Sequence, residues 1–249
     1  MNRQRRAVVK GLAAVSLTTL SGCGGSGGNS AGDEQAVTGS TNANLPGVEF
    51  RHGVASGDPL GDRVILWTRV SPVDVLERDA GDIPVSVVVA TDPELTQVVG
   101  RQVVTASAAS DFCVKLDAQG LQPNRWYYYQ FSVGDQASPV GRTRTFPSDK
   151  QAVERARFAV VSCSNYAYGL FSVYRSVSAQ TDLDFVLHLG DYIYEYGPGE
   201  YGSYPGHEPN PPHEITELAH YRLRHAQYKA DPHLQATHQQ FPMICIWDD

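Results

Sequence analysis

The pattern of apolar residues changes near residue 150. Before that point, short runs rich in β-branched and aromatic residues alternate with turn residues. They lie at 64–67, 85–89, 103–104, 112–116 and 127–131. Runs of this length and spacing, with no helical stretch between them, predict an all-β sandwich over residues 46–150.

After residue 150 the apolar runs become continuous. The runs at 158–161 and 184–189 flank a possible helix at 170–179, and a second helical stretch at 214–229 precedes a strand at 242–247. Continuous runs are typical of strands buried on both faces of a sheet. The order strand, helix, strand therefore predicts a parallel βαβ unit in residues 151–249.

The first 22 residues are typical of an export signal. They hold four cations and no acid, and an apolar stretch at 11–20 is shorter than the roughly 20 residues of a membrane span. Arg5 and Arg6 have the spacing of a twin-arginine signal, which predicts export of the protein by the twin-arginine machinery to the periplasm or cell surface.

Cys23 marks the expected end of this signal. The segment LSGC at 20–23 resembles a lipobox, whose cysteine becomes the lipidated first residue and anchors the chain to the membrane. An ordinary secretory signal with a chance cysteine is the alternative. Residues 23–45 are rich in Gly, Ser, Asn and Thr, and this composition predicts a flexible linker.

Charge narrows the range of partners. The whole chain of 249 residues has a formal charge of −7, and beyond residue 22 it carries 16 cationic against 27 acidic side chains. A body this acidic is not expected to bind nucleic acid through a basic face. Carboxylates favour hard cations, so the acidic charge does not exclude a metal site.

Side chains able to bind a metal follow the predicted parallel strands. Cys163 follows the first strand, Asp191 the second with Tyr194 three residues on, and Asp248 the third. Because sites in α/β sheets lie beyond the carboxyl ends of the strands, these side chains should share one edge. Phenolate and carboxylate oxygens suit a trivalent ion, and iron also accepts thiolate. The alternative is structural: a small core cysteine, a Gly-Asp turn and a packed tyrosine.

Several sequence blocks carry family resemblances. The segment Leu121-x-Pro123-x-x-x-Tyr127 resembles the tyrosine corner of fibronectin type III domains, and GDYIY at 190–194 resembles the GDxxY block of binuclear metallophosphoesterases, including purple acid phosphatases. Together with further blocks, the chain resembles the PhoD-like alkaline phosphatase family over about residues 48–249. The blocks are FRHGVASGDP at 50–59, ILWTR at 65–69, SCSNY at 162–166, HLGDYIYEYG at 188–197 and WDD at 247–249.

The resemblance implies a fold and a chemistry. The fold is an N-terminal fibronectin III/Ig-like β-sandwich followed by an αββα, calcineurin-like metallophosphatase domain, with the first block shaping a turn and an interdomain contact. The chemistry is hydrolysis of phosphate monoesters and diesters by a metal-activated hydroxide at a site with Fe³⁺ and Ca²⁺. Cys163 and Tyr194 would ligate iron, and Asp191 would be the catalytic residue that bridges iron to calcium. Asp248 is a possible site residue.

The resemblance also implies that the third block continues beyond Asp249. The chain is therefore expected to be an incomplete N-terminal portion of the family pattern, with an uncertain activity of its own. Two alternatives belong to other classes: an inactive remnant, or a β-sandwich binding module tethered to a membrane.

Overall fold

The computed structural model describes residues 45–74, 76 and 80–247. Arg5, Arg6, Cys23 and Asp248 lie outside these residues. The strands described before residue 150 are mostly short and antiparallel. They are β1 (Val48–Glu49), β2 (Val54–Gly57), β3 (Arg63–Arg69), β4 (Ser71–Pro72), β5 (Ile83–Ala90), β6 (Val98–Ala106), β7 (Cys113–Gln119), β8 (Trp126–Val133), β9 (Gln136–Ala137) and β10 (Gly141–Arg144).

Two sheets of this half share one hydrophobic core. One has the order β10-β8-β5-β6, with β9 paired to β8, and the other includes β2, β3 and β7. Every second side chain of β3 and β8 is buried, as expected of strands with one face on a core. The core contains Val64 and Leu66 of β3, Val87 of β5, and Tyr129 and Phe131 of β8.

The Tyr127 hydroxyl forms the local contact that a tyrosine corner requires. It accepts the backbone N–H of Gln122 at 2.8 Å, and Tyr127 is only 2% exposed. The hydroxyl therefore ties the start of β8 to the turn before it, within a segment of seven residues.

The elements after residue 150 alternate between strand and helix. They are β11 (Phe158–Val161), α1 (Ser172–Ser178), β12 (Phe185–His188), α2 (Leu218–Lys229), α3 (Pro232–Gln240) and β13 (Met243–Cys245). Strands β11, β12 and β13 pair in parallel, so the predicted βαβ unit is present. Helix α2 begins later than the sequence predicts because the Ile215 N–H bonds to the Glu195 carbonyl, which keeps this stretch in the preceding loop.

The two faces of β11 have different surroundings. Ala159 and Val161, like Val177 of α1, pack on a buried core cluster, whereas Phe158 and Val160 are 47% and 54% exposed. The prediction of strands buried on both faces is therefore wrong for β11 within the described residues. A continuous apolar run cannot distinguish one covered face from two, because it is apolar on both.

One sheet continues across residue 150. Its order is β11-β12-β13-β2-β3-β7, and the parallel pairing of Met243 with Gly57 joins β13 to β2. A Cβ atom on Gly57 would lie 2.7 Å from the Met243 carbonyl oxygen, so this close approach requires glycine. The block at 50–59 thus supplies the strand that joins the two halves. Among the described residues, no helix has the length and apolar character needed to cross a membrane.

Candidate metal centre

The turns after β11 and β12 are hydrogen-bonded to each other. The Cys163 N–H donates to the Gly190 carbonyl at 3.2 Å, and the Ser164 N–H donates to the Asp191 carbonyl at 2.8 Å. Because parallel strands end at the same edge of a sheet, these turns lie side by side, as the sequence predicts.

The three predicted donor side chains meet at this edge. The Tyr194 hydroxyl donates to Asp191 Oδ2 at 2.6 Å. Burial, followed by the hydrogen bond to Asp191 and then the nearby Cys163 thiol, raises the pKa of Tyr194 well above its usual value. A thiol, a carboxylate and a phenol thus lie together on two strand ends and the loop that follows.

Strained backbone marks two of these residues. Cys163 has a φ of 58° and Asp191 a φ of 51°, in the left-handed region that side chains other than glycine rarely adopt. For Cys163 this conformation costs on the order of 1–2 kcal/mol, whereas aspartate adopts it more readily. Other non-glycine residues of the described part of the chain share this conformation away from the edge, among them Leu95, Phe112 and Asn124, so the strain alone does not distinguish a functional turn from a structural one.

A buried polar cluster lies beneath the edge. Ser164 Oγ and the Tyr174 hydroxyl lie 3.0 and 3.2 Å from His188 Nε2, and they bond to each other. The Gly190 N–H donates to His188 Nδ1 at 3.3 Å, and burial lowers the pKa of His188 to about 4. A neutral His188 therefore supports the backbone next to Asp191. The sequence carries one signal for this role of His188, a polar residue within the apolar run of β12.

The donor set fits the iron that the family resemblance implies. Within the described ranges, no three His, Cys, Asp or Glu residues are grouped as a metal site, but the third donor here is a tyrosine, and phenolate, carboxylate and thiolate together suit ferric iron. Of the calcium ligands that the resemblance implies, only Asp191 lies in the described part of the chain; Asp248 does not.

A cavity opens beside the donors. It has a volume of about 640 Å³, and Asp191, Tyr194 and Glu195 line it together with Tyr221, His225 and Trp247. This volume is in the range of small-molecule binding sites, roughly 300–1,000 Å³. The edge therefore combines candidate metal ligands with space for a small substrate.

Comparison with known proteins gives a family for both halves of the chain. One family model, for the N-terminal domain of PhoD-like phosphatases, matches residues 35–147, and the model for the PhoD-like phosphatase itself matches residues 158–249. Over 211 residues the chain is 42% identical to alkaline phosphatase D of Bacillus subtilis (strain 168), a match that covers 83% of this chain and 36% of the relative. The chain thus spans about a third of the length of this relative.

The fold resembles a solved structure of PhoD. The two are 43% identical in sequence and superpose with a TM-score of 0.75. The match covers 80% of this chain and 39% of that chain. The likeness covers most of the described residues, in both halves of the chain.

Proposed function

The chain belongs to the PhoD-like phosphatase family, and on this premise we propose that its strand-end cluster is part of the active site of an alkaline phosphatase. The substrates would be phosphate monoesters and diesters. One observation carries the proposal: Cys163, Asp191 and Tyr194 converge at the carboxyl edge of a parallel sheet, beside a cavity. We also infer that the first half is a fibronectin III/Ig-like sandwich, which its two sheets and its tyrosine corner support.

The donors would divide between two ions. Cys163 and Tyr194 would hold Fe³⁺, and Asp191 would hold Fe³⁺ and Ca²⁺, with Asp248 a further candidate. When bound, the ions supply positive charge that neutralises the phosphoryl oxygens and activates water. The Tyr194 hydroxyl donates its proton in a hydrogen bond to Asp191 Oδ2, and this proton must leave before the phenol can ligate a metal. His188 supports the Asp191 turn through Gly190.

Phosphatase activity is tested on a protein that contains this whole sequence, supplied with iron and calcium. We expect metal-dependent release of nitrophenol from nitrophenyl phosphate and from bis-nitrophenyl phosphate at alkaline pH. Asp191→Asn should abolish it, whereas Tyr204→Phe, in the same loop but not among the residues that line the cavity, should not. Turnover that survives Asp191→Asn would refute the assignment.

Iron ligation has a spectroscopic test. A tyrosinate bound to Fe³⁺ gives a charge-transfer band in the visible. Tyr194→Phe should bleach this band in the iron-loaded protein, and Tyr196→Phe should leave it in place. A coloured, iron-loaded Tyr194→Phe protein would show that Tyr194 is not the ligand.

We further propose export by the twin-arginine machinery, followed by lipid anchoring at Cys23. The support is the sequence of the first 23 residues. Arg5→Lys combined with Arg6→Lys should retain the precursor inside the cell, and Cys23→Ser should move the product from the membrane fraction to the soluble one. Normal export of the double variant, or an unchanged membrane fraction for Cys23→Ser, would contradict the corresponding step.

A further inference from the structure

Arg224, on α2, is a buried arginine whose hydrogen-bond acceptors in the described part of the chain include no carboxylate. It is only 1% exposed, and its acceptors are all backbone carbonyl oxygens at distances between 2.5 and 3.4 Å. They belong to Tyr194, Tyr196, Asn210, Pro211 and His213. An arginine has five N–H donors in a rigid planar fork, so these five carbonyls match its full capacity.

The acceptors come from the two ends of a single loop. Nη1 bonds to the carbonyls of Tyr194 and Tyr196, while Nε and Nη2 bond to carbonyls between residues 210 and 213. The guanidinium therefore cross-links both ends of the loop to α2. Burying a charge is costly unless its partners compensate for it. A lysine would offer three donors from a point charge and would leave some of these carbonyls without a partner.

One of the residues bound by Arg224 is Tyr194, the candidate iron ligand. The Tyr194 carbonyl bonds to Arg224, and the Tyr194 hydroxyl bonds to Asp191 Oδ2. The ring thus lies between a backbone fixed by α2 and a carboxylate fixed by the strand edge. We propose that Arg224 is a positioning residue that orders the 194–213 loop and thereby holds the Tyr194 phenol on Asp191. The proposal builds on the role of Tyr194 in the proposed metal centre.

Helix α2 also provides a matched control. Arg222 lies two residues earlier, and its Nη2 donates to the Ala109 carbonyl at 2.7 Å, in the other half of the chain. Arg222→Lys and Arg224→Lys make the same chemical change on the same helix. Only Arg224→Lys removes contacts with the loop.

The first experiment needs no metal. The protein is labelled with 3-fluorotyrosine, and the ¹⁹F resonance of Tyr194 is identified by its absence in Tyr194→Phe. We expect one sharp Tyr194 resonance in the unchanged protein and in Arg222→Lys. In Arg224→Lys it should broaden or move towards the position of solvent-exposed fluorotyrosine, while the core resonances of Tyr127 and Tyr129 show that the fold persists. An unchanged Tyr194 resonance in Arg224→Lys would overturn the proposal.

A measurement on the unchanged protein covers the case in which Arg224→Lys does not fold. Five fixed acceptors should prevent rotation of the guanidinium, so the N–H protons of Arg224 should give separate, slowly exchanging signals in ¹H–¹⁵N spectra. A single averaged signal that exchanges rapidly with water would overturn the proposal without any variant.

The second arm uses iron. In the Fe³⁺-loaded protein, Arg224→Lys should reduce the charge-transfer absorbance per bound iron at least twofold or shift its maximum, and Arg222→Lys should do neither. A merely structural role would lower the melting temperature and leave the band per iron unchanged, which would refute positioning. If even the unchanged protein shows no band, the proposed iron ligation fails, and the ¹⁹F result alone decides the role of Arg224.

Discussion

Replacing Gly57 with alanine should weaken the junction between the two halves of the molecule. Gly57 pairs with Met243, where β2 meets β13 in parallel. An added Cβ would lie 2.7 Å from the Met243 carbonyl oxygen, closer than real Cβ contacts come. Because the opposing atom is backbone, it cannot rotate out of the way, so one of the two strands must move.

The size of the effect follows from this distance. An ordinary van der Waals contact begins at 3.4 Å, so the strands must separate by about 0.7 Å at this point. Forcing one extra methyl group into a packed site costs about 1–3 kcal/mol. We expect Gly57→Ala to lie at the upper end, about 2–3 kcal/mol, because the strain falls on the backbone of a strand pair and not on an adaptable side chain.

A second glycine provides the control. At Gly100 in β6, the nearest atom to an added Cβ is Val89 Cβ at 4.0 Å, an ordinary contact. Gly100→Ala should therefore stabilise the protein by about 0.5–1 kcal/mol, since glycine inside a strand carries an entropic cost. Urea denaturation followed by circular dichroism measures both changes. A free energy of unfolding that Gly57→Ala leaves unaltered would refute the steric reasoning and, with it, the closeness of β2 to β13.

Three further predictions concern single residues. Tyr127→Phe should lower the free energy of unfolding by about 1–2 kcal/mol in urea denaturation, because it leaves the partly buried Gln122 N–H without its acceptor; an unchanged midpoint would contradict this. Burial lowers the pKa of His52 and His188 to about 4 in the folded protein. As the pH falls, these two side chains therefore become protonated in the unfolded chain before they do in the folded one. Stability should therefore fall between pH 6.5 and 4, by up to about 1.4 kcal/mol per pH unit for each histidine, and a flat melting temperature over this interval would be the contrary result. Cys163→Gly should stabilise the metal-free protein, whereas Cys163→Ala should not.

Features with a local cause could be predicted from the sequence. The tyrosine corner depends on contacts within residues 121–127, and the alternation in β3 and β8 reflects one buried face. The meeting of Cys163 with Asp191 and Tyr194 also follows from local facts, because each strand end is visible in the sequence and parallel strands end at one edge. Helix α3, which the sequence analysis does not predict, also begins with a local signal: Asp231 caps it by accepting the N–H groups of His233 and Leu234.

Features that depend on distant partners could not be predicted. Nothing near Gly57 indicates that Met243 will lie beside it, since periodicity shows which faces are apolar but not which strand comes next. In the sequence, Arg224 looks like any other cationic residue of a polar helix. Its five acceptors are backbone carbonyls, which have no signature in the sequence. A residue that organises a loop in this way becomes visible only once the loop has a conformation.

The stability that Cys163→Gly is expected to gain follows from the backbone conformation of Cys163. The left-handed backbone of Cys163 costs about 1–2 kcal/mol, and glycine would remove that cost while losing an exposed side chain and its contact with the Tyr194 hydroxyl. Part of the gain is offset by the greater freedom of glycine in the unfolded chain, so about 0.5–1 kcal/mol should remain. Alanine also loses the thiol but keeps the strained backbone. The difference in stability between Cys163→Gly and Cys163→Ala therefore isolates the backbone effect. The hydrogen bonds of Cys163 and Ser164 to the opposite turn are made by the backbone and survive in both variants. Both variants should bind less iron, so stability and metal binding change in opposite directions only for glycine. Equal stability of the two variants in urea would show that the backbone at residue 163 is not strained.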